Sequence, residues 1–241
     1  DHPIRERAAR YQVVAPDMDE PLRQIVREGY LQLSSLIPAG EAARLAALVK
    51  KLHRQSLPPV FAFVYDEMWQ LFGNLSEVLT PIMGADQRIQ PTEFWVWYVD
   101  RDQAGFPPHR DSLSNALRSD GAPSMISAWI ALTDAQPLTG CMYVLPRDRD
   151  PNLPGKVRRA PRIALDDLQS IRALPAAAGS ALCWTTDLLH WGSRCSDWAD
   201  QPRISVSAYL QRGDHPETFA SESIGLNDQT QLSFDHRLQL I

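Results

Sequence analysis

Two stretches of this chain carry residue types that together can bind a metal ion. The first is Phe106-Pro107-Pro108-His109-Arg110-Asp111. Side chains two apart on an extended chain share a face, with Cα atoms about 6.6 Å apart, so His109 and Asp111 can hold one ion while Arg110 turns away. Pro107 and Pro108 donate no ladder hydrogen bond, which places the segment at a strand edge or a barrel mouth. A third ligand has to come from elsewhere. His190, at the end of a strand in Asp187-Leu188-Leu189-His190-Trp191-Gly192-Ser193, is the best candidate, because His2, His53, His215 and His236 sit in a terminal segment, a helix or a polar tail. Two imidazoles and one carboxylate on one face of a metal leave coordination positions open, as in non-haem Fe(II) sites. Alone, His-x-Asp also describes a surface or capping pair, and His190 alone also reads as a hydrogen-bonded core histidine.

Arg203 alters that balance. It opens an alternating run in which Arg203, Ser205, Ser207 and Tyr209 share one face and Ile204, Val206, Ala208 and Leu210 the other. Such a run can be a polar face exposed over an apolar core. It can equally turn its polar face into a barrel, where the Arg203 fork would grip a carboxylate and Ser205 would add a hydroxyl donor.

The elements that position these residues fall into two halves. Apolar positions at helical spacing predict helices over 18–28, 41–54, 60–71 and 75–83, with a short strand at 30–33 after Gly29. From residue 90 the pattern changes to strands at 93–99, 124–132, 141–145, 180–184 and 203–210, separated by turns bearing Gly and Pro. Phe94, Val96 and Tyr98 lie on one face of the first of these strands, and Trp95 and Trp97 on the other. Helices followed by many short strands imply a β-sandwich or barrel buttressed by N-terminal helices. Residues 1–17 are expected to drape over the surface, and 213–241 to form a lid, an oligomer contact or a tail.

Composition narrows the function classes. A net charge of −5 offers no footprint for nucleic acid or an anionic membrane. The longest uncharged run, 174–186, is too short to span a bilayer, and no signal peptide is expected. Cys141, Cys183 and Cys195 form no Cys-x-x-Cys pair and read as core residues of a reduced, cytoplasmic protein. The expected partner is a small-molecule substrate, and the chain a monomer or weak homo-oligomer.

Taken in order, these motifs resemble the phytanoyl-CoA dioxygenase-like (PhyH-like) family of Fe(II)/2-oxoglutarate-dependent oxygenases. The resemblance runs from Glu28-Gly29-Tyr30-Leu31-Gln32-Leu33 through His109-Arg110-Asp111 and Ser127-Ala128-Trp129-Ile130-Ala131-Leu132-Thr133-Asp134. It continues through Thr139-Gly140-Cys141-Met142-Tyr143-Val144-Leu145-Pro146 to Leu189-His190-Trp191-Gly192-Ser193. It implies a mainly β, cupin-like double-stranded β-helix, or jelly roll, as one domain over 1–241. Its helical part would cover about 18–84, its core about 90–212 and a tail or lid 213–241. His109, Asp111 and His190 would hold Fe(II) as the catalytic ligands. Arg203 and Ser205 would bind the far carboxylate of 2-oxoglutarate, with Trp129, Phe106 and Tyr98 as pocket walls. The implied reaction uses O2 to hydroxylate, or otherwise oxidise, a C–H bond and releases succinate and CO2, in keeping with specialised metabolism. Asp111 favours hydroxylation over halogenation, since related halogenases lack that carboxylate. Thr139 where the family usually has Asn, and Arg147-Asp148-Arg149 where it often has Gly-Ser-His, bear on the substrate through a turn and a loop at the mouth.

Other readings fit parts of the pattern. His109-Arg110-Asp111 followed by Asn115 approximates a kinase catalytic loop, but the Asn comes one residue early and no phosphate loop or Asp-Phe-Gly accompanies it. A zinc hydrolase or isomerase would use the same three ligands, and a non-catalytic jelly-roll binding module would leave Arg203 without an anion. The aromatic strand at 94–98 and Trp191 suggest an apolar or ring-bearing substrate, with 112–123, 147–156 and the C-terminal stretch as entrance loops.

Overall fold

A computed structural model of the protein describes residues 19–153, 163–215, 223–226 and 232–241, so the polar segment 1–17 lies outside it. Helix α1 (Asp19–Glu28) ends at Gly29, whose φ of 85° lets its N–H reach back to Ile25 O at 3.0 Å. Strand β1 (Tyr30–Leu33) and helix α2 (Ala39–Arg54) follow. The buried stripe of α2 is Ala42, Leu45, Ala46, Val49 and Leu52.

Helices at 60–71 and 75–83 are replaced by a 3-10 helix, Pro59–Val64, and one long helix, α3 (Asp66–Met83). Tyr65, extended at φ −90° and ψ 139°, separates them. Gly73 lowers helix propensity by about 1 kcal/mol, but Phe72 and Leu75 on either side are fully buried, and that packing carries the helix through. Gln87 then donates from Nε2 to Ser76 O within α3 and to Gly84 O just past its end.

The remaining elements are β2 (Gln87–Ile89), β3 (Trp95–Val99), β4 (Met125–Ala131), β5 (Met142–Leu145), β6 (Arg172–Leu174), β7 (Ala181–Thr185), β8 (Leu189–Gly192), β9 (Arg203–Arg212), β10 (Ile224–Gly225) and α4 (Phe234–Gln239). Strands β2, β6 and β10 span two or three residues, too few to show a period of two in the sequence. The larger sheet runs β1-β7-β4-β9-β2-β10 with β3 also on β9, and the smaller runs β6-β5-β8; every pairing is antiparallel. Together they form a jelly roll.

Strand parity divides the apolar residues into two cores. Ile126, Ala128, Ile130, Ala181, Cys183, Ile204, Val206, Ala208 and Leu210 face outward and pack with α2 and α3. The core includes Phe63 stacked on Phe94 at 4.1 Å between ring centroids. The opposite parity, including Trp129, Ala131, Leu182 and Trp184, packs with Met142 and Val144 of the smaller sheet inside the roll. The described parts of 213–241 are bound to the body: β10 pairs with β2, and α4 lies against Pro59–Val64 with Arg237 paired to Asp66. No helix of the described residues is long and apolar enough to cross a membrane.

Candidate metal centre and its pocket

Cross-strand pairing brings the His-x-Asp segment to its place. The sequence predicts His109 and Asp111 on one strand, whereas the segment makes only an isolated bridge in which His109 and His190 each donate N–H to the other's carbonyl at 3.0 Å. Pro107 and Pro108 have no N–H with which to extend the ladder. Flanking bonds still hold the segment on the β8 edge, Gly192 N–H to Phe106 O at 3.1 Å and Ser112 N–H to Thr186 O at 2.8 Å. Gly105 allows the close approach, since a Cβ there would lie 2.2 Å from the Gly192 oxygen.

His109, Asp111 and His190 present ligand atoms within 4.8 Å of one another. Asp111 Oδ1 is 3.4 Å from His109 Nε2 and 3.7 Å from His190 Nε2. Each imidazole has Nδ1 against the carbonyl two residues back, His109 on Pro107 O at 2.9 Å and His190 on Leu188 O at 3.0 Å. A carbonyl only accepts, so Nδ1 carries the hydrogen and both Nε2 lone pairs are free for an ion. The other Asp111 oxygen, Oδ2, accepts from the Ser127 hydroxyl at 2.5 Å and the Trp184 indole N–H at 3.1 Å, leaving Oδ1 to the centre. Burial opposes the Asp111 charge, but His190, His109 and the Ser127 hydroxyl outweigh it and hold the carboxyl well below the usual range. Burial lowers the His190 pKa more than Asp111 raises it, which keeps that imidazole neutral. This donor set fits a divalent ion.

Beside the triad is a cavity of about 60 Å³ walled by Trp97, Phe106, Trp129, Met142 and Trp184, with Arg203 also lining it. The Arg203 face of β9 therefore points into the roll, and the exposed-face alternative does not hold. Arg203 is 2% exposed, donates from Nη1 to Ser205 Oγ at 3.2 Å, and lies 5.9 Å from the centre of the Trp129 ring. Its Nε has no partner, and no carboxylate of the described residues pairs with it. Burial, only partly offset by Cys141 and Cys195, pulls its pKa down to about 10. A buried cation without a counter-charge costs several kcal/mol, so this end of the cavity suits an anionic ligand.

The expected residues divide accordingly. Trp129 and Phe106 line the cavity and Ser205 holds Arg203. Tyr98 is not brought there: it has the parity of Val96 and stacks on the His53 ring of α2 at 3.9 Å. Trp191 also points elsewhere and stacks on Tyr143 at 5.8 Å, because adjacent strand residues face opposite ways. Ser127 and Trp184 had not been expected at the site, and Trp97 only as a member of the aromatic strand at 94–98. Ser127 shares parity with Trp129, and that signal could have found it.

Arg110 does turn away from the ligands on either side of it. It is fully buried, donates from Nη1 to Asp187 O at 2.6 Å and pairs through Nη2 with Asp150. Asp150 also accepts from the Asn152 backbone N–H at 2.9 Å, and Arg147 pairs with Asp187. The entrance loop beginning at 147 is thus tied to the ligand segments over its described part, while 154–162 lie outside it. Asp150→Ala would strand the Arg110 charge, and we expect it to destabilise the protein by about 3–5 kcal/mol. The paired change Arg110→Met with Asp150→Leu should cost clearly less in urea unfolding, and equal losses would show that the charge is not the cause.

The architecture and the site define the class, a jelly roll bearing two histidines and one carboxylate gathered so that they could hold a metal ion. Residues 87–196, a little under half of the chain, match the phytanoyl-CoA dioxygenase (PhyH) family model. The match contains His109, Asp111 and His190 and ends before Arg203. No curated protein matches the chain. Among solved structures, it is similar to the epimerase SnoN, described in complex with Fe3+, alpha ketoglutarate and nogalamycin RO. That likeness has 20% identity over 85% of this chain and 92% of that one, with a TM-score of 0.61. The non-heme monooxygenase ThoJ gives 12% identity over 91% and 96%, with a TM-score of 0.67. HygX from Streptomyces hygroscopicus, described with nickel and 2-oxoglutarate bound, gives 14% over 83% and 88%, with a TM-score of 0.58. At these identities the likeness is one of fold.

Proposed function

We propose that the protein is a non-haem Fe(II)/2-oxoglutarate-dependent oxygenase that hydroxylates a C–H bond of a small molecule of specialised metabolism, with residues 1–241 as one catalytic domain. The observation that carries this reading is the buried, unpaired Arg203 in the same cavity as the triad. That cation calls for an anionic ligand, and a dicarboxylic cosubstrate that also binds the ion supplies one.

His109 and His190 would hold iron through Nε2 and Asp111 through Oδ1. Arg203 and Ser205 would bind the far carboxylate of 2-oxoglutarate. With O2, the bound iron and cosubstrate supply the oxidising power, 2-oxoglutarate leaving as succinate and CO2 while the substrate C–H is oxidised. The protein's own part is positional. Ser127 and Trp184 restrain the Asp111 carboxylate, the Pro107 and Leu188 carbonyls fix the two imidazoles, and Trp97, Phe106 and Trp129 keep water from the cavity. SnoN is described as an epimerase, so the outcome of oxidation can differ on this fold; the Asp111 carboxylate supports hydroxylation over halogenation.

The test is anaerobic titration of the protein with Fe(II) and 2-oxoglutarate. We expect the weak visible charge-transfer band of the chelated cosubstrate. A folded, metal-loaded protein that gives no band, with activity that needs zinc but neither O2 nor 2-oxoglutarate, would overturn the reading in favour of a zinc hydrolase or isomerase.

A further inference from the structure

We propose that the mouth of the cavity is a stacking platform for a flat, apolar ring system, formed by Trp95, Trp97 and Phe106. Trp95 and Trp97 alternate onto the site face of β3, opposite Ser207 and Ser205 of β9. Their rings stack at 5.4 Å and 12°. Trp97 meets Phe106 edge-on at 5.8 Å, and Phe106 meets His109 edge-on at 4.4 Å. One aromatic series therefore runs from a metal-ligand histidine out to solvent.

Trp97, in the middle of this series, is fixed, and its neighbours Phe106 and Trp95 are open. Trp97 donates its indole N–H to Ser207 Oγ at 3.2 Å, giving Trp95 a rigid backing. Trp95 is nevertheless 47% exposed and Phe106 41%. Large aromatic faces left in water beside a cavity gain by covering, and a planar ring covers them best in offset or edge-to-face geometry. Size and charge point the same way. At about 60 Å³ the cavity is well below the roughly 300–1,000 Å³ of ligand pockets. With a dicarboxylate at Arg203, a larger molecule has to extend over the mouth. Among the described residues, Arg203 is the one Arg or Lys in the cavity wall, so these residues offer no second cation for a highly anionic partner. Calling the stacked molecule the oxidised substrate rests on the oxygenase reading; the platform itself does not.

The test compares 2-naphthalenemethanol with its saturated decahydro counterpart, which has the same skeleton and hydroxyl but puckered rings. Binding is measured by calorimetry on metal-free protein. One added aromatic contact is worth up to about tenfold in affinity, and with two exposed rings we expect the flat probe to bind at least about tenfold more tightly. Trp95→Ala should cut that preference sharply, and Trp95→Phe should keep more of it. Trp198→Ala, at the most exposed tryptophan, should leave it intact. Equal affinities in the wild type, a preference undiminished by Trp95→Ala, or one that vanishes with Trp198→Ala would each overturn the platform. Because no metal is used, the result is separable from the charge-transfer test. A band without ring preference defeats the platform alone, and ring preference without a band defeats only the oxygenase assignment.

Discussion

Asp111→Ala is expected to abolish tight metal binding and turnover while leaving a folded protein. Losing an outer partner of a metal ligand typically costs 10–100-fold in metal affinity or activity, and Asp111 is itself the only carboxylate in the triad. We therefore expect a loss greater than about 100-fold, read by metal titration and by succinate release. Ser127→Ala provides the scale. It removes one restraint on Oδ2 but keeps the ligand, so it should fall within the 10–100-fold range and bind metal more weakly. The Asp111 carboxyl lies below its ordinary 3.8, so its contribution to metal-free stability is complete above that pH and fades as acid protonates it. The Ala variant should lack this acid-side loss. Turnover by Asp111→Ala within tenfold of the wild type would remove Asp111 from the ligand set.

The second large effect carries opposite signs in two measurements. Arg203→Met should weaken 2-oxoglutarate binding by roughly 30- to 4,000-fold, the range for removing one partner of a buried charge pair worth 2–5 kcal/mol. The same change should stabilise the ligand-free protein. A guanidinium whose pKa is pulled down by burial opposes folding at neutral pH, and an apolar side chain of similar length relieves that cost. Thermal unfolding without ligand should therefore show a higher midpoint in the variant, and added 2-oxoglutarate should raise the wild type alone. A lower midpoint with unchanged cosubstrate affinity would make Arg203 a structural residue.

Much of this site was legible from residue types and periodicity. His109, Asp111, His190, Arg203 and Ser205 stood out because their chemistry is unusual for their pattern, and Phe106 and Trp129 line the cavity beside them. What escaped depends on pairing between distant strands. Period two separates Tyr98 from Trp97 but does not say which face of β3 meets the cavity; its register on β9 does. The same limit hid Ser127 and Trp184, which face each other across β4 and β7 and converge on one carboxylate oxygen. Trp191 misled because adjacency in sequence means opposite faces on a strand. The helix starting at Asp66 was obscured by Gly73, where burial outweighs local propensity.

The mutual backbone bonds of His109 and His190 also bear on how the centre is assembled. These residues are distant in sequence, so joining them means closing a long loop, an entropic cost borne by formation of the whole sheet. The ion then arrives at donors already gathered, and its binding energy need not be spent on ordering the chain, unlike domains that fold only around their metal. A partly folded chain, with β8 still lacking its neighbour, has two of the three ligands at most. On the oxygenase reading, loading with metal would therefore follow folding rather than drive it, which would keep redox chemistry out of an unfinished protein.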